Sequence, residues 1–435
     1  MLQPKRSSLN KTKAHKVGCR LLILILRYGM PRQDEETQKS RTMVCRTCTN
    51  LLRAISYRQS SIEPPDLSKL PHCLVRLELL NGDKMNLKSL ELLKNLSVLV
   101  LGNQFDQGLD HLPPTLTALS LGDLFNQPVD HLQPNLVSLT LGHAFNQPVD
   151  HLPQNLTRLT IGDGFDRSLN HLPSGLVELS VGDAFNQSIK NLPRKLTSLS
   201  LGHLFDQPTD GLPDTLVSLT LGRWFKGFAD EIPIFMGPLA RRGLFAGFNQ
   251  SVDCLPHSLV HLVLGSRFNR PVDNLPPNLA SLVLSLEFNQ PLDRLPQKLK
   301  FLWVGDRFNK PIKNTLPKKL ARLFLGDSFN QPLVVDHRPV LPPKLVYLSL
   351  GYNFNQCVNG LLPSSLTHLS LGNNFDQPIK DLPDALVHLG LGWGFAQAID
   401  TLPLRLVTVT ASPNVLQKIR VLLPRVSVYL PPSSP

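Results

Sequence analysis

Several Asp-His pairs recur at a fixed spacing in the first half of the chain, and their side chains could bind a metal ion or transfer a proton. The pairs, with one Asn-His variant, are Asp110-His111, Asp130-His131, Asp150-His151 and Asn170-His171. Later copies of the same position read Lys190-Asn191, Asp210-Gly211 and Asp273-Asn274, with no other change around them. We therefore interpret these positions as a solvent-exposed corner, and we expect no metal and no cofactor.

Other catalytic motifs find no support in the sequence. There is no P-loop, no dinucleotide-binding glycine pattern and no nucleophile with its own base. Cys45 and Cys48 form a C-x-x-C pair, but a zinc site needs two further ligands, and only His72 and Cys73 follow within reach. The six cysteines are too sparse for a disulfide framework, which favours a reducing compartment. We predict a protein that is not an enzyme, located inside the cell and most simply in the cytoplasm.

The spacing of the pairs reflects a repeat of about 20 residues that organises most of the chain. Phenylalanines mark it at 105, 125, 145, 165, 185 and 205, and again at 268, 288, 308, 329, 354, 375 and 395. A period of this length is typical of a solenoid, in which each coil buries its apolar side only by stacking on its neighbours.

Each position of the repeat has a physical role, as the coil around Phe145 illustrates. Leu136, Leu139 and Leu141 follow the L-x-x-L-x-L pattern of a leucine-rich coil with one short strand. Gly142 begins a turn, and we expect Phe145 to stack on the equivalent rings as an aromatic spine. The Asn or Asp after the Phe predicts a ladder of side chains that satisfy backbone groups in turns. A proline follows in many copies, which argues against helices on the outer face.

The consensus LGxxFNQPVDxLPxxLxxL resembles the FNIP repeat, a variant of the leucine-rich repeat whose signature is Phe-Asn, a polar residue, Pro and an aliphatic residue. The resemblance covers roughly residues 70–410 and implies a mainly β, leucine-rich-repeat-like solenoid of about fifteen coils with capping ends. Some members of this family carry an F-box before the repeats, which implies recruitment of substrates for ubiquitination. No F-box pattern is recognisable here.

Three regions follow from this reading. Residues 1–69 form a basic segment, expected to be poorly ordered or partly helical, residues 70–410 form the solenoid, and residues 411–435 form a C-terminal cap and tail. A short helix is predicted over residues 413–421. Residues 224–247 interrupt the array, and we interpret them as an irregular coil that bulges outward, with a gene-model artefact or a functional loop as alternatives. In that coil, Phe225 and Phe245 are expected to keep repeat positions.

The positive charge of the chain is concentrated at its N-terminus. The formal net charge is +12, and residues 1–70 contribute +9 of it, with 14 Lys or Arg against 5 Asp or Glu. Only this segment has the charge to bind nucleic acid, and it would do so through contacts with phosphates and without recognition of the base sequence. A secretory signal, an organelle- or nuclear-targeting extension and a simple basic tail remain open, because the apolar run of residues 21–26 is interrupted by Arg27. No segment reaches the ~18 apolar residues of a membrane span.

The outward face of the strands is where we expect binding. Early coils carry small polar residues there, whereas three later coils carry Phe301, Trp303, Arg322, Phe324 and Tyr347. Aromatic and Arg side chains exposed together are typical of binding hot spots. We predict a non-enzymatic scaffold that binds a protein partner of unknown identity through this face. Two other readings stay open: the aromatics cover a neighbouring insertion, or the chain is a regulatory or ubiquitin-pathway adaptor whose N-terminal segment carries the effector role.

Overall fold

The structure is a computed structural model, and it describes residues 23–26, 70, 72–79, 87–222, 247–265, 267–313 and 315–431. Of residues 23–26 it describes the backbone alone. The segment 224–246 and most of residues 1–69 therefore lie outside the described residues, as do Cys45 and Cys48.

One parallel sheet runs through the described chain, with one strand from each coil. Eighteen strands form this sheet, and two more form a separate hairpin. The strands are β1 (Ile23–Leu26), β2 (Arg76–Leu79), β3 (Val98–Leu101), β4 (Ala118–Ser120), β5 (Ser138–Thr140), β6 (Arg158–Ile161), β7 (Glu178–Val181), β8 (Ser198–Leu201), β9 (Ser218–Leu221), β10 (His261–Leu264), β11 (Ser281–Val283), β12 (Phe301–Trp303), β13 (Arg322–Phe324), β14 (Val334–Val335), β15 (Arg338–Pro339), β16 (Tyr347–Ser349), β17 (His368–Ser370), β18 (His388–Gly390), β19 (Thr408–Thr410) and β20 (Ser427–Tyr429). The mainly β solenoid predicted from the repeat is confirmed.

The inward leucines and the phenylalanines form a continuous core. In the coil of Phe145, the residues Leu136, Leu139, Leu141 and Phe145 are each at most 1% exposed. Fourteen phenylalanines, from Phe105 to Phe395, stack in one column with ring centroids 5.9 to 6.2 Å apart. This aromatic spine confirms the expected stacking, because the period places one ring in each coil at the same depth.

The residue after each Phe forms the predicted ladder. The side-chain oxygen of Asn126 accepts the backbone N–H of Asn146 at 2.9 Å, and that of Asn146 accepts the N–H of Asp166 at 3.1 Å. The same bond recurs along the array as far as Ala396, whose N–H is held by Asp376 at 2.9 Å. In many coils the following Gln donates to the same oxygen, as Gln187 does to Asp166 at 3.0 Å. One carboxylate or amide oxygen thus satisfies two donors of the next coil.

The glycine that follows most of the strands is explained by the spacing of the coils, although Ser285 takes this position after β11. A Cβ atom added to Gly142 would lie 1.9 Å from the carbonyl oxygen of Gly122. Ordinary non-bonded contacts between carbon and oxygen are far longer, so only glycine fits. The role is one of close approach between neighbouring coils, in addition to the turn predicted from the sequence.

The interruption of the array leaves its stacking intact. Strand β9 pairs directly with β10, with Ser218 opposite His261, and Phe248 stacks on Phe205 at 6.2 Å. The predicted irregular coil of residues 224–247, with Phe225 and Phe245 at repeat positions, lies outside the described residues except for Gly247. Among the described residues, Phe248 therefore follows Phe205 directly in the column of rings, and β10 follows β9 in the sheet.

A second insertion is the antiparallel hairpin of β14 and β15. Its two turn residues, Asp336 and His337, have φ values of 50° and 62°. Positive φ at both central residues is the geometry that suits a tight hairpin turn. The hairpin lengthens one corner, as the longer spacing between Phe329 and Phe354 suggested.

Both ends of the array carry irregular elements. A 3-10 helix spans Leu87–Leu92 near the N-terminal end, and α1 spans Pro413–Leu422 at the other. The helix prediction is confirmed, with Val415, Leu416 and Ile419 on its buried face. Strand β1, which pairs in parallel with β2, was not predicted from the sequence.

Candidate functional site

The five predicted surface residues lie on three adjacent strands. Phe301 of β12 is paired with Arg322 of β13, which is paired with Tyr347 of β16. In the next outward position, Trp303 is paired with Phe324. These pairs bring the five residues into one contiguous area, because the outward positions of neighbouring coils are in register.

Phe324 is the centre of this area. Its ring lies 5.3 Å from that of Trp303, 5.6 Å from Phe301 and 4.9 Å from Tyr347, measured between centroids. As a result Phe324 is only 9% exposed. The expectation that it is exposed is therefore corrected: Phe324 supports the three rings around it, which are half-buried, and Arg322 is exposed.

Two histidines extend the row of rings, and the sequence reading missed them. His368 of β17 stacks on Tyr347 at 4.9 Å, and His388 of β18 stacks on His368 at 4.2 Å. Both occupy the same position of the L-x-x-L-x-L unit as Phe301 and Tyr347, in the stretches LTHLSL and LVHLGL. That shared position was the available signal. We call Phe301, Trp303, Phe324, Tyr347, His368 and His388 the aromatic patch.

The titratable rings of the patch are uncharged at neutral pH. The pKa of His368 is lowered to about 4, mainly by burial, and the nearby His388 and Arg322 act in the same direction. Burial also lowers the pKa of His388. The pKa of Tyr347 is raised by burial, against the opposing effect of Arg322. Each imidazole is also held by a hydroxyl: Nδ1 of His368 lies 2.8 Å from Oγ1 of Thr367, and Nδ1 of His388 contacts that of Thr408.

An open groove of about 190 Å³ lies beside the histidines. Ser370 and Gly390 line it together with His368 and His388, and Tyr429 of β20 lines its far end. The small side chains of Ser370 and Gly390 take positions equivalent to Phe324 two and three strands away. The aromatic patch therefore borders a depression on the same strand face.

The N-terminal half of the strand face has a different chemistry. A larger hollow of about 400 Å³ is lined there by aliphatic residues such as Val98 and Val100 and by small polar residues such as Ser120 and Thr140. Arg76 and Glu78 in the same hollow form an ion pair of 2.6 Å with each other. This half of the face offers no cluster of rings, which distinguishes it from the coils of β12 to β18.

The Asp-His positions lie apart from the patch, on an exposed corner. His171 contacts Asp150 of the preceding coil at 3.0 Å, and His111 contacts Glu91 at 2.7 Å. Across the described ranges, no three His, Cys, Asp or Glu side chains are grouped so that they could hold a metal ion. Cys73, Cys254 and Cys357 are exposed free thiols. Nor does any helix in the described part of the chain have the length and apolar character to cross a membrane.

Coils with one parallel strand, inward leucines and an outward variable face define a leucine-rich-repeat solenoid. Its repeats match the FNIP Repeat model at residues 185–223, 248–287, 288–328, 308–353, 329–374 and 354–394. Residues 185–223 and 248–394 are thus FNIP repeats, and the gap between the first two matches coincides with the segment between Gly222 and Phe248.

Two solved structures illustrate the likeness. One is CroV588, described as a novel circular leucine-rich-repeat protein, with 34% identity and a TM-score of 0.61. The alignment covers 79% of this chain and 57% of CroV588, so the chain spans little more than half of that protein. A leucine-rich-repeat protein of Leptospira interrogans aligns with 19% identity and a TM-score of 0.51 over 84% of this chain and 92% of its own, which supports the fold alone. The comparison with curated proteins gives no match.

Proposed function

We propose that this chain is a non-enzymatic scaffold that binds a protein partner through the aromatic patch. The observation that carries the proposal is the contiguous row of rings from Phe301 to His388 on the strand face. Aromatic and Arg side chains dominate the binding energy of protein interfaces. The remaining coils hold this surface rigid.

Rigidity supports the proposal in energetic terms. The rings that would meet a partner are packed against Phe324 and against each other, and Thr367 and Thr408 hold the two imidazoles. Side chains that are already ordered lose little rotamer freedom on binding, where each mobile one would lose about 0.5 to 1.5 kcal/mol. A partner can therefore contact several coils at a small ordering cost.

Affinity capture from a native lysate with matched variants tests the proposal. The test variant combines Trp303→Ser with Tyr347→Ser and leaves Phe324 in place, since removal of the supporting ring would disturb the patch itself. The control combines Val137→Ser with Val217→Ser, which removes apolar side chains that are 37% and 39% exposed beside the strands of other coils. Circular dichroism confirms that both variants are folded.

The expected result is a specific protein that the wild type and the control retain and the test variant loses. Equal capture by the wild type and both variants would contradict the proposal. It would direct attention to the adaptor alternative, whose effector segment lies in residues 1–69.

A further inference from the structure

We infer that the partner segment recognised by the aromatic patch is an acidic peptide that carries apolar side chains, an inference that rests on the proposed function. Six cations lie on the three coils that carry Phe301, Trp303, Phe324 and Tyr347. They are Lys298, Lys300, Lys318, Lys319, Arg322 and Lys344. All six are exposed.

The cations form a defined arrangement. Lys298, Lys319 and Lys344 each precede the first leucine of L-x-x-L-x-L, in the stretches QKLKFLWV, KKLARLFL and PKLVYLSL. We call these three residues the lysine column. Adjacent coils are about 4.8 Å apart, so the column spans roughly 10 Å along the solenoid. Lys300 directly precedes Phe301, and Arg322 lies between Phe301 and Tyr347 in the strand register.

The strands of these three coils and the turns before them carry no carboxylate. The stretches 297–304, 317–325 and 342–350 contain no Asp or Glu. Among the described residues, the ion pairs involve other cations, such as Lys190, Arg307 and Lys313. Lys298 donates to the neutral side chain of Asn278 at 2.6 Å. Since residues 71–435 carry a net charge of only +3, obtained as +12 minus +9, a local excess of six is a marked concentration.

The orientation of the rings selects between partners of negative charge. Trp303, Phe324, Tyr347 and His368 stack on one another at 17° to 30° between planes, so much of each ring face is covered by a neighbouring ring. Nucleic-acid bases stack on open ring faces. The edges that stay accessible carry the positive part of the aromatic quadrupole, which attracts carboxylates. The geometry therefore favours an acidic peptide over a single-stranded nucleic acid.

Fluorescence anisotropy with the full-length protein tests the inference. The probes are a short labelled peptide of alternating glutamate and leucine, its lysine-leucine counterpart, and a labelled oligothymidine. The test variant replaces the lysine column, as Lys298→Gln, Lys319→Gln and Lys344→Gln. Lys195→Gln is the matched control, because Lys195 takes the same position in the stretch PRKL of a coil whose strand face carries Ser198 and Ser200. The basic N-terminal segment is present in every variant, so differences between variants report the patch.

We expect the acidic peptide to bind the wild type and the Lys195→Gln control equally, and the lysine-leucine peptide not to bind. The triple variant should bind the acidic peptide about tenfold more weakly at low salt, with the difference shrinking as salt screens the charges. Unchanged affinity in the triple variant, or no binding by any variant, would overturn the inference. If the Trp303→Ser, Tyr347→Ser variant lost affinity for the acidic peptide and the triple lysine variant did not, the proposed function would stand and the inferred preference for an acidic partner would not. If the oligothymidine bound more tightly than the acidic peptide, and if the triple variant lost this binding, the inference of a peptide partner would be wrong and a nucleic acid would take its place.

Discussion

Truncation of one ring in the aromatic spine should destabilise the whole array. Phe165 is fully buried and stacks on Phe145 and Phe185 at 6.2 Å each. Replacing a buried Phe by Ala typically costs about 3 to 5 kcal/mol, and each lost ring pair accounts for about 0.5 to 1.5 kcal/mol beyond the burial of area. Because rings lie on both sides of Phe165, little room for collapse exists, and we expect Phe165→Ala in the upper part of that range.

Two comparisons separate the spine from general effects of substitution. His151 is exposed, and His151→Ala should cost under about 0.5 kcal/mol. Phe395 is 2% exposed and, among the described rings, stacks on Phe375 alone, at 6.1 Å. Phe395→Ala should therefore cost less than Phe165→Ala by about one ring contact, 0.5 to 1.5 kcal/mol.

The assay is urea denaturation followed by far-UV circular dichroism and by tryptophan fluorescence. Two probes are needed because repeat arrays can unfold in parts, and all three tryptophans, Trp224, Trp303 and Trp393, lie in the second half of the chain. If the free energies of unfolding of Phe165→Ala and His151→Ala agreed within about 0.5 kcal/mol, the stacked rings would not be the source of stability assigned to them.

Three further perturbations test separate features. Asn309→Ala removes the oxygen that accepts two donors of the next coil at 3.0 Å, and we expect a loss of about 1 to 2 kcal/mol in urea denaturation, while Asn309→Asp, which keeps the acceptor, should stay close to the wild type. Gly142→Ala forces a methyl group to within 1.9 Å of the Gly122 carbonyl oxygen and should lower the melting temperature strongly, whereas Gly108→Ala, with its nearest atom at 3.4 Å, should be tolerated. The pKa of His368 is about 4 in the folded chain against 6.5 for the free side chain, so its contribution to stability is present above pH 6.5 and is lost as the pH falls toward 4. Thermal melts from pH 7 to 4 should show a shallower decline for His368→Gln than for the wild type.

Opposite results would contradict each of these expectations. Equal losses for Asn309→Ala and Asn309→Asp would show that the acceptor oxygen is not what matters. A folded Gly142→Ala of normal stability would show that the coils can move apart at little cost. An unchanged pH dependence in His368→Gln would place the acid sensitivity elsewhere, with His388, whose pKa burial also lowers, as the next residue to replace.

The parts of the fold that the sequence predicts are those with one residue type at one repeat position. Burial or backbone pairing allows few residue types at such positions. The sequence therefore predicts the roles of Phe145 and its equivalents, of the Asn or Asp after them, and of the apolar face formed by Val415, Leu416 and Ile419. The steric role of Gly142 could not be predicted from the sequence, because it depends on the distance between neighbouring coils. The pairing of β9 with β10 was missed for a related reason: Phe225 fits the period by number, although Phe248 is the ring that stacks on Phe205.

The candidate site was predicted in position and only in part in composition. Phe301, Trp303, Arg322, Phe324 and Tyr347 do lie together, because equal positions in successive coils are paired in register. His368 and His388 were not predicted, because a histidine in an exposed strand position is not by itself typical of a binding hot spot, although the two rings continue the stack. It also treated the patch as uniformly exposed, whereas the number of ring neighbours decides exposure, and Phe324 has three.

The two insertions show where this array can acquire new parts. One enters between a strand glycine and its spine ring, at Gly222 and Phe248, and the other is the hairpin of β14 and β15 after Leu333. On both sides of each, the sheet and the spine continue without a break, with Phe329 stacked on Phe354 at 6.0 Å across the second. Extra residues can therefore be inserted at these corners of the coil without a change in the strand register. A loop grafted at either position would be held by coils whose pairing and stacking are unchanged. This repeat is therefore a suitable scaffold for engineered recognition loops.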